Sequence, residues 1–178
     1  MNKLLLFSAF LLSFSIHAQN EPGTTENQFS VSFLLPGVEY ETSLSNKTTV
    51  DLRAGTGFTF AMGKSIGTEF GVYPNFHTQY RYYYNFKKRA EKGKNIHNNS
   101  GNYFALSGGL YGGKPLVGEI EYQMDYGAEV GPVWGLQRVY GSGFKLDLHL
   151  GLGYSFNDLG ESGFSSLISF RLGWLIFD

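Results

Sequence analysis

Asp147 and His149 are the residues whose types and spacing come closest to those of a catalytic pair. They stand two positions apart, and an imidazole oriented by a carboxylate can activate a hydroxyl group for nucleophilic attack. His77 and Ser155 would supply a second base and a nucleophile. However, a carboxylate and an imidazole at positions i and i+2 of an extended strand are expected to lie ~7 Å apart, and Ser155 is six residues beyond His149. We therefore predict that these residues are not catalytic and that the protein is not an enzyme.

The sequence offers no typical cofactor or metal motif. The segment Met62-Gly63-Lys64-Ser65 is similar to the end of a phosphate-binding loop, but Gly57 is one residue too distant and no helix is predicted to follow. The absence of Cys excludes thiolate metal sites and disulfides. A net charge of −1 provides no positive field for nucleic-acid phosphates. We expect no cofactor, no metal ion and no nucleic-acid partner.

Charged side chains at alternate positions form a larger candidate set. From Phe144 to Phe156 every second residue is apolar, and each residue between is Lys, Asp, His, Gly or Ser. This period of two is that of a β-strand with one apolar and one polar face. Followed along the chain, the alternation places five acids, four bases and two histidines on polar faces. They are Glu39, Glu41, Asp51, Arg53, His77, Arg81, Glu129, Lys145, Asp147, His149 and Arg171.

Eight segments carry this alternation, and turn-forming sequences separate them. Most connections are short, so consecutive strands are predicted to pair antiparallel in up-and-down order. We interpret Pro36-Gly37 as the first turn; a bulge at Pro36 would merge two strands and leave seven. A closed bacterial barrel with both termini on one side needs an even number, which favours eight. The predicted strands are residues 29–35, 38–44, 50–60, 76–86, 103–111, 126–137, 144–156 and 168–176, and a short helical turn is predicted within residues 87–94.

The two faces of these strands favour a membrane barrel over a soluble, lipocalin-like one. The polar face consists mainly of Gly, Ser and Thr, whereas an exterior in water normally carries many long charged side chains. The other face carries Tyr80, Tyr82, Trp134 and further rings, too many for the inside of an eight-stranded barrel. Aromatic residues near strand ends are typical of interfacial girdles. These are Tyr84, Phe86, Phe144 and Trp174 at one end, and Phe58, Phe60, Phe76, Tyr154 and Phe156 at the other.

The N-terminal residues are typical of an exported protein. Lys3 precedes an apolar run over residues 4–16, and Ala18 is a small residue at a plausible cleavage point. The sequence therefore predicts a signal peptide at residues 1–18, a short flexible lead at 19–27, and an eight-stranded antiparallel transmembrane β-barrel at 28–178.

Two segments carry a resemblance to known proteins. Residues 35–41, beginning Leu35-Pro36-Gly37, and residues 151–154, Gly151-Leu152-Gly153-Tyr154, resemble the N-terminal hairpin and penultimate strand of small outer-membrane barrels of the OmpX and OmpW type. The resemblance extends over residues 28–178. It implies location in the outer membrane of a Gram-negative cell, with outer-membrane lipid and the barrel-insertion machinery as partners.

The eleven interior residues suggest what such a barrel does. Opposite charges in a narrow lumen are expected to form an ion-pair network near the termini, while glycines line the other half. This favours a structural or interaction role. The alternatives are a carrier or narrow conduit for a small hydrophobic or ionic solute, and a lipid-modifying enzyme. The cluster Lys87, Lys88, Arg89, Lys92 and Lys94 is either a solvated turn or a contact surface. As a contact surface it would bind anionic headgroups or cell-wall polymer if it faces the periplasm, and lipopolysaccharide phosphates if it faces outside.

Overall fold

The computed structural model describes residues 24–63 and 67–177, and strand accounts for 69% of the structure against 3% for helix. The predicted signal peptide, residues 1–18, lies outside the described residues, as do residues 19–23 of the predicted lead. Within the described ranges, no helix has the length and apolar character needed to cross a membrane.

The strands form one antiparallel sheet that closes into a ring. Each long strand pairs with its neighbours in the chain, and pairing of the first strand with the last completes the ring. The two-residue β6 attaches to β4 and is not one of the eight strands of the ring. The elements are β1 (Gln28–Ser32), β2 (Gly37–Ser45), β3 (Thr48–Gly63), β4 (Gly67–Tyr83), α1 (Phe86–Ala90), β5 (Asn102–Gly112), β6 (Val117–Gly118), β7 (Tyr126–Tyr140), β8 (Phe144–Asn157) and β9 (Ser162–Phe177).

The predicted all-β, antiparallel, up-and-down order is confirmed. Residues 33–36 form a turn between β1 and β2, so Pro36 is not a bulge inside one long strand and the ring has eight strands. The helical turn predicted within residues 87–94 is present as α1, which begins one residue earlier.

Side chains alternate between the inside and the outside of the ring, as the period of two requires. On β8, Lys145 and Asp147 are buried, whereas Leu150 and Leu152 are half or more exposed. On β4, Arg81 is fully buried between the exposed rings of Tyr80 and Tyr82. Along the strands, the charged side chains of the predicted set therefore lie inside the ring, and most large apolar side chains lie outside.

The prediction that Phe86 belongs to an outward-facing aromatic girdle is wrong. Strand β4 ends at Tyr83, and Phe86 begins α1 with its side chain almost fully buried. Its ring stacks on that of Tyr83 with centroids 4.9 Å apart. Strand β4 ends three residues earlier than the alternation indicates, so Phe86 packs inside instead of continuing the outer face.

The connections divide between the two ends of the barrel. The end that holds both termini, which we call the terminal end, also holds the connections β2–β3, β4–β5 and β7–β8. The opposite end, the loop end, holds β1–β2, β3–β4, β5–β7 and β8–β9. The basic residues 87–94 therefore lie at the terminal end.

Residues 24–27, the described part of the predicted lead, are hydrogen bonded to loops at the terminal end. The Thr25 hydroxyl lies 2.6 Å from the Ser43 hydroxyl. The Glu26 amide donates to the Asn99 side-chain oxygen over 2.8 Å, and the Asn99 side-chain amide donates back to the Glu26 carbonyl over 2.9 Å. This segment therefore packs against the end of β2 and the β4–β5 connection.

Candidate functional site

Arg81 lies at the centre of the charged interior. Alternation on β4 turns its side chain inward, where its guanidinium is fully buried. Its nitrogens lie 3.1 Å from Asp147 Oδ2, 3.3 Å from Glu41 Oε2 and 3.4 Å from Asp51 Oδ1. Glu39 Oε1 is 3.9 Å away. One cation from β4 thus joins carboxylates from β2, β3 and β8.

Three further cations complete the network by pairing with the same carboxylates. Lys145 Nζ donates to Glu39 Oε1 over 2.6 Å. In the strand register, Arg53 is the cross-strand neighbour of Glu39, and Arg171 is that of Asp147. The remaining ion pairs are Arg53 with Asp51 and Arg171 with Asp147. Four acids therefore face four bases, so the formal charges of the cluster balance and each charged group contacts at least one of opposite sign.

The carboxylates of Glu39, Glu41 and Asp51 have the geometry of a possible cation site. One oxygen from each lies within 4.8 Å of the others. However, Arg81 already contacts all three carboxylates, and Lys145 is hydrogen bonded to Glu39. The arginines and the lysine provide the positive charge that a metal ion would otherwise supply, and the arrangement favours an ion-pair network.

Neutral side chains that the sequence analysis did not select complete this network. Tyr83 donates its hydroxyl to Glu41 Oε1 over 2.7 Å, and Tyr103 donates to Asp147 over 3.2 Å. Gln137 accepts from Arg81 over 2.9 Å. Gln79 Oε1 likewise accepts from Arg81 Nε, at 2.8 Å. Alternation could have identified Tyr83 and Gln79, because both share the inward phase of Arg81.

Asp147 and His149 are closer than predicted. His149 Nδ1 lies 3.9 Å from Asp147 Oδ1, so the expected separation of ~7 Å is wrong for these atoms, because it describes the backbone repeat and the two side chains lean together. Gln79 Nε2 is 3.2 Å from the same imidazole nitrogen. The Ser155 hydroxyl donates to the Gly163 carbonyl at 3.4 Å. His149 is thus held at the edge of the ion-pair network.

His77 and Glu129 are the two predicted interior residues that lie apart from the network. Both line a cavity of about 320 Å³ nearer the loop end. Gly109 leaves the space between them, because a Cβ atom there would meet the His77 ring and the Glu129 side chain. The structure thus brings nine of the eleven predicted residues together and leaves these two on the cavity wall.

Only part of the predicted glycine-lined half is open. Gly55 lines the cavity, but the side chain of Leu167 packs against Gly131 and Gly153. Leu167 faces inward on β9 and is buried. An apolar side chain therefore fills one side of the lumen where the sequence indicated only small residues.

In the basic cluster at the terminal end, the arginine is hydrogen bonded to the protein and the lysines are exposed. The Arg89 guanidinium donates to the Asn95 carbonyl over 2.8 Å and so folds the loop onto α1. Partial burial lowers the pKa of Arg89, and Tyr140 acts in the opposite direction. The exposed cations of the cluster are Lys87, Lys88, Lys92 and Lys94. The lysines, not Arg89, form the free basic surface.

The two halves of the interior thus differ in what they contain. Its terminal half is occupied by the buried ion-pair network, whereas its loop half contains a cavity lined by arginine, histidine and serine side chains. No protein-family model matches this chain, and neither curated proteins nor solved structures gave a match.

Proposed function

We propose that this protein is a Gram-negative outer-membrane β-barrel with a structural or interaction role. The observation that carries the proposal is the distribution of side chains, which is the reverse of that in a protein that folds in water. Phe164, Ile168 and Leu152 are 94%, 72% and 71% exposed, while Arg81, Asp51 and Glu41 are fully buried. Apolar surface this extensive aggregates in water, whereas the hydrocarbon of a bilayer accommodates it.

The ion-pair network supports a role without conduction. Arg81, Tyr83, Tyr103 and Gln137 are each fully buried and fill the terminal half of the lumen. An ion crossing the barrel would have to break several of these contacts at once. The dense packing therefore favours a structural or interaction barrel over a conduit.

The proposed partners are outer-membrane lipid, the barrel-insertion machinery and an anionic surface that contacts the exposed lysines. Outer-membrane lipid surrounds the strands, and the insertion machinery assembles them. With an even strand number, both termini face the periplasm, which places the four exposed lysines there. Anionic headgroups or cell-wall polymer are then their partners rather than lipopolysaccharide.

Extraction and gel migration test the membrane placement. We expect the protein to leave isolated outer membranes only with detergent. Unboiled protein should migrate faster than boiled protein on a detergent gel, because a closed barrel stays compact until heated. A species that remains soluble without detergent would instead support the lipocalin-like alternative.

Planar bilayer recordings test the closed lumen. We expect no conductance steps from the reconstituted protein. Regular steps would contradict the closed lumen and favour the conduit. A carrier role is the second candidate, and the cavity near the loop end is the observation that favours it.

A further inference from the structure

The barrel wall has a gap above the β1–β2 hairpin. Strand β2 accompanies β3 only as far as the pair Gly37 and Gly55, and β1 accompanies β9 only as far as Ser32 and Gly173. Beyond this hairpin, residues 57–63 of β3 and 162–171 of β9 have no strand partner on their facing edges within residues 24–63 and 67–177. We call this gap the lateral notch. Seven residues of β3 correspond to a length of ~23 Å along the strand.

The other short strand of the wall has its gap filled. Strand β5 pairs with β4 only as far as Asn75 and Tyr111, and β6 continues the pairing at Gly71 and Val72. The same loop crosses toward β3, where the Tyr122 hydroxyl lies 2.7 Å from the Thr59 hydroxyl. The loop therefore covers part of the loop end, and among residues 24–63 and 67–177 it adds no strand to the facing edges of the lateral notch.

The turn below the notch is unusually apolar. Phe33, Leu34 and Leu35 are all exposed, whereas the β7–β8 turn is Gly141-Ser142-Gly143. On the proposed membrane placement, an exposed apolar turn lies in hydrocarbon, so the notch above it opens toward lipid. Unpaired strand edges are tolerated at that depth only where they are buried in protein or line a water-filled cavity.

The cavity described above lies directly behind the notch. Leu35, Ile168 and Phe170 line it from the rim, and Arg53 and Arg171 line it from inside. Arg53 is 6% exposed, and its Nη2 has no hydrogen-bond partner among the described residues. The Nε of Arg171 also lacks one among them. The site therefore offers buried guanidinium donors next to an apolar rim.

We propose that the notch and cavity bind a long-chain fatty acid from the bilayer. This inference rests on the proposed membrane placement. The carboxylate would accept hydrogen bonds from Arg53, because guanidinium and carboxylate match in shape and charge. The acyl chain would leave through the notch along Leu35, Ile168 and Phe170. A volume of about 320 Å³ is within the range of small-molecule sites.

Binding of radiolabelled palmitate to the full chain, folded in a non-ionic detergent, tests this site. We expect one palmitate per chain, displaced by unlabelled palmitate at least tenfold more effectively than by hexadecanol. Hexadecyltrimethylammonium should not displace it. Equal displacement by the cationic amphiphile would overturn the assignment of Arg53. Stronger displacement by lysophosphatidate than by palmitate would replace the carboxylate head with a phosphate.

Two variants test the position of the site. Ser166 is an exposed residue of the cavity lining and is not part of the ion-pair network, so Ser166→Trp places a bulky ring there without removing an ion pair. Arg53→Gln removes the charge. We expect both to weaken palmitate binding at least tenfold. Leu152→Trp is the matched control, because Leu152 is the cross-strand partner of Ser166 and its side chain is outside the cavity lining; it should bind as the wild type does.

Testing whether each variant still folds separates failure of the fatty-acid site from failure of the proposed membrane placement. Arg53→Gln perturbs an ion pair, so Ser166→Trp carries the test if Arg53→Gln does not fold. A heat-modifiable barrel that binds no palmitate, or a Ser166→Trp variant that binds normally, overturns the fatty-acid site alone. A wild-type dimer that Ser166→Trp converts to monomer would overturn it in favour of a second copy paired at the notch. Solubility without detergent would overturn the membrane placement.

Discussion

Arg81 shows why single interior residues matter for the stability of this barrel. Its guanidinium is the shared partner of carboxylates on three strands, and it is also 4.6 Å from the centre of the Tyr103 ring. Without Arg81, the carboxylates of Glu41, Asp51 and Asp147 outnumber the cations that contact them. A buried carboxylate without a partner is costly because it has lost its hydration.

We therefore expect Arg81→Leu to lower the free energy of unfolding by about 3 to 5 kcal/mol. Urea titration of the protein in lipid vesicles, followed by the gel shift of the folded form, measures this change. Lys88→Leu is the control, because Lys88 is an exposed residue of α1, and it should stay close to the wild type. A loss in Arg81→Leu no larger than in Lys88→Leu would contradict the network's role in stability.

The hydroxyl of Tyr103 gives a second, smaller prediction. It donates to both oxygens of Asp147 at 3.2 Å, so Tyr103→Phe should cost about 1 to 3 kcal/mol for the buried acceptor it leaves less satisfied. Tyr80→Phe is the matched control on the outer face, where Tyr80 is exposed. The same urea titration applies, and equal effects of the two substitutions would refute the prediction.

Individual residues also show what the alternation could and could not predict. It identified the inward position of Arg81 because one apolar and one polar face already define a strand's orientation. It did not lead to Tyr103, because a tyrosine suits both an outer girdle and a polar interior. The separation of Asp147 and His149 depends on side-chain rotamers, which strand spacing does not fix.

Strand order was predictable from turn chemistry, whereas strand length was not. The first strand was predicted at residues 29–35, but it ends at Ser32. The apolar alternation continues through Phe33 and Leu35 although these residues form a turn. An apolar turn carries the same pattern as a strand, so the lateral notch could not be predicted from sequence. The two-residue β6 is also too short to have a periodic signal.

The alternation on β8 predicts that a positive charge costs different amounts of stability at two adjacent positions. Leu150 is exposed on the outer face, and the neighbouring His149 is buried inside. On the proposed placement, Leu150→Arg should cost about 2 to 4 kcal/mol near the bilayer midplane. His149→Arg should cost less, because Asp147 is nearby.

Vesicle refolding yields for the two variants measure this difference. Fluorescent labels on cysteines introduced at the same two positions provide an independent check, because the wild type contains no Cys. A label at position 150 should report lipid and one at position 149 a polar interior. The reverse result would mean that the barrel is turned inside out relative to the proposed membrane placement.

The complete barrel has two chemically different ends, and the proposed orientation assigns each to one side of the membrane. Lys88 lies at the terminal end, while Leu159 is exposed in the β8–β9 connection at the loop end. With the termini in the periplasm, only the loop end contacts the medium outside the cell.

We therefore expect opposite labelling of Leu159→Cys and Lys88→Cys by a membrane-impermeant maleimide. In intact cells the reagent should modify Leu159→Cys and leave Lys88→Cys unmodified. After permeabilisation of the outer membrane both should react, which controls for exposure of each thiol. Labelling of Lys88→Cys in intact cells, with Leu159→Cys protected, would place the four lysines outside the cell. Lipopolysaccharide phosphates would then replace the periplasmic partners proposed for this surface.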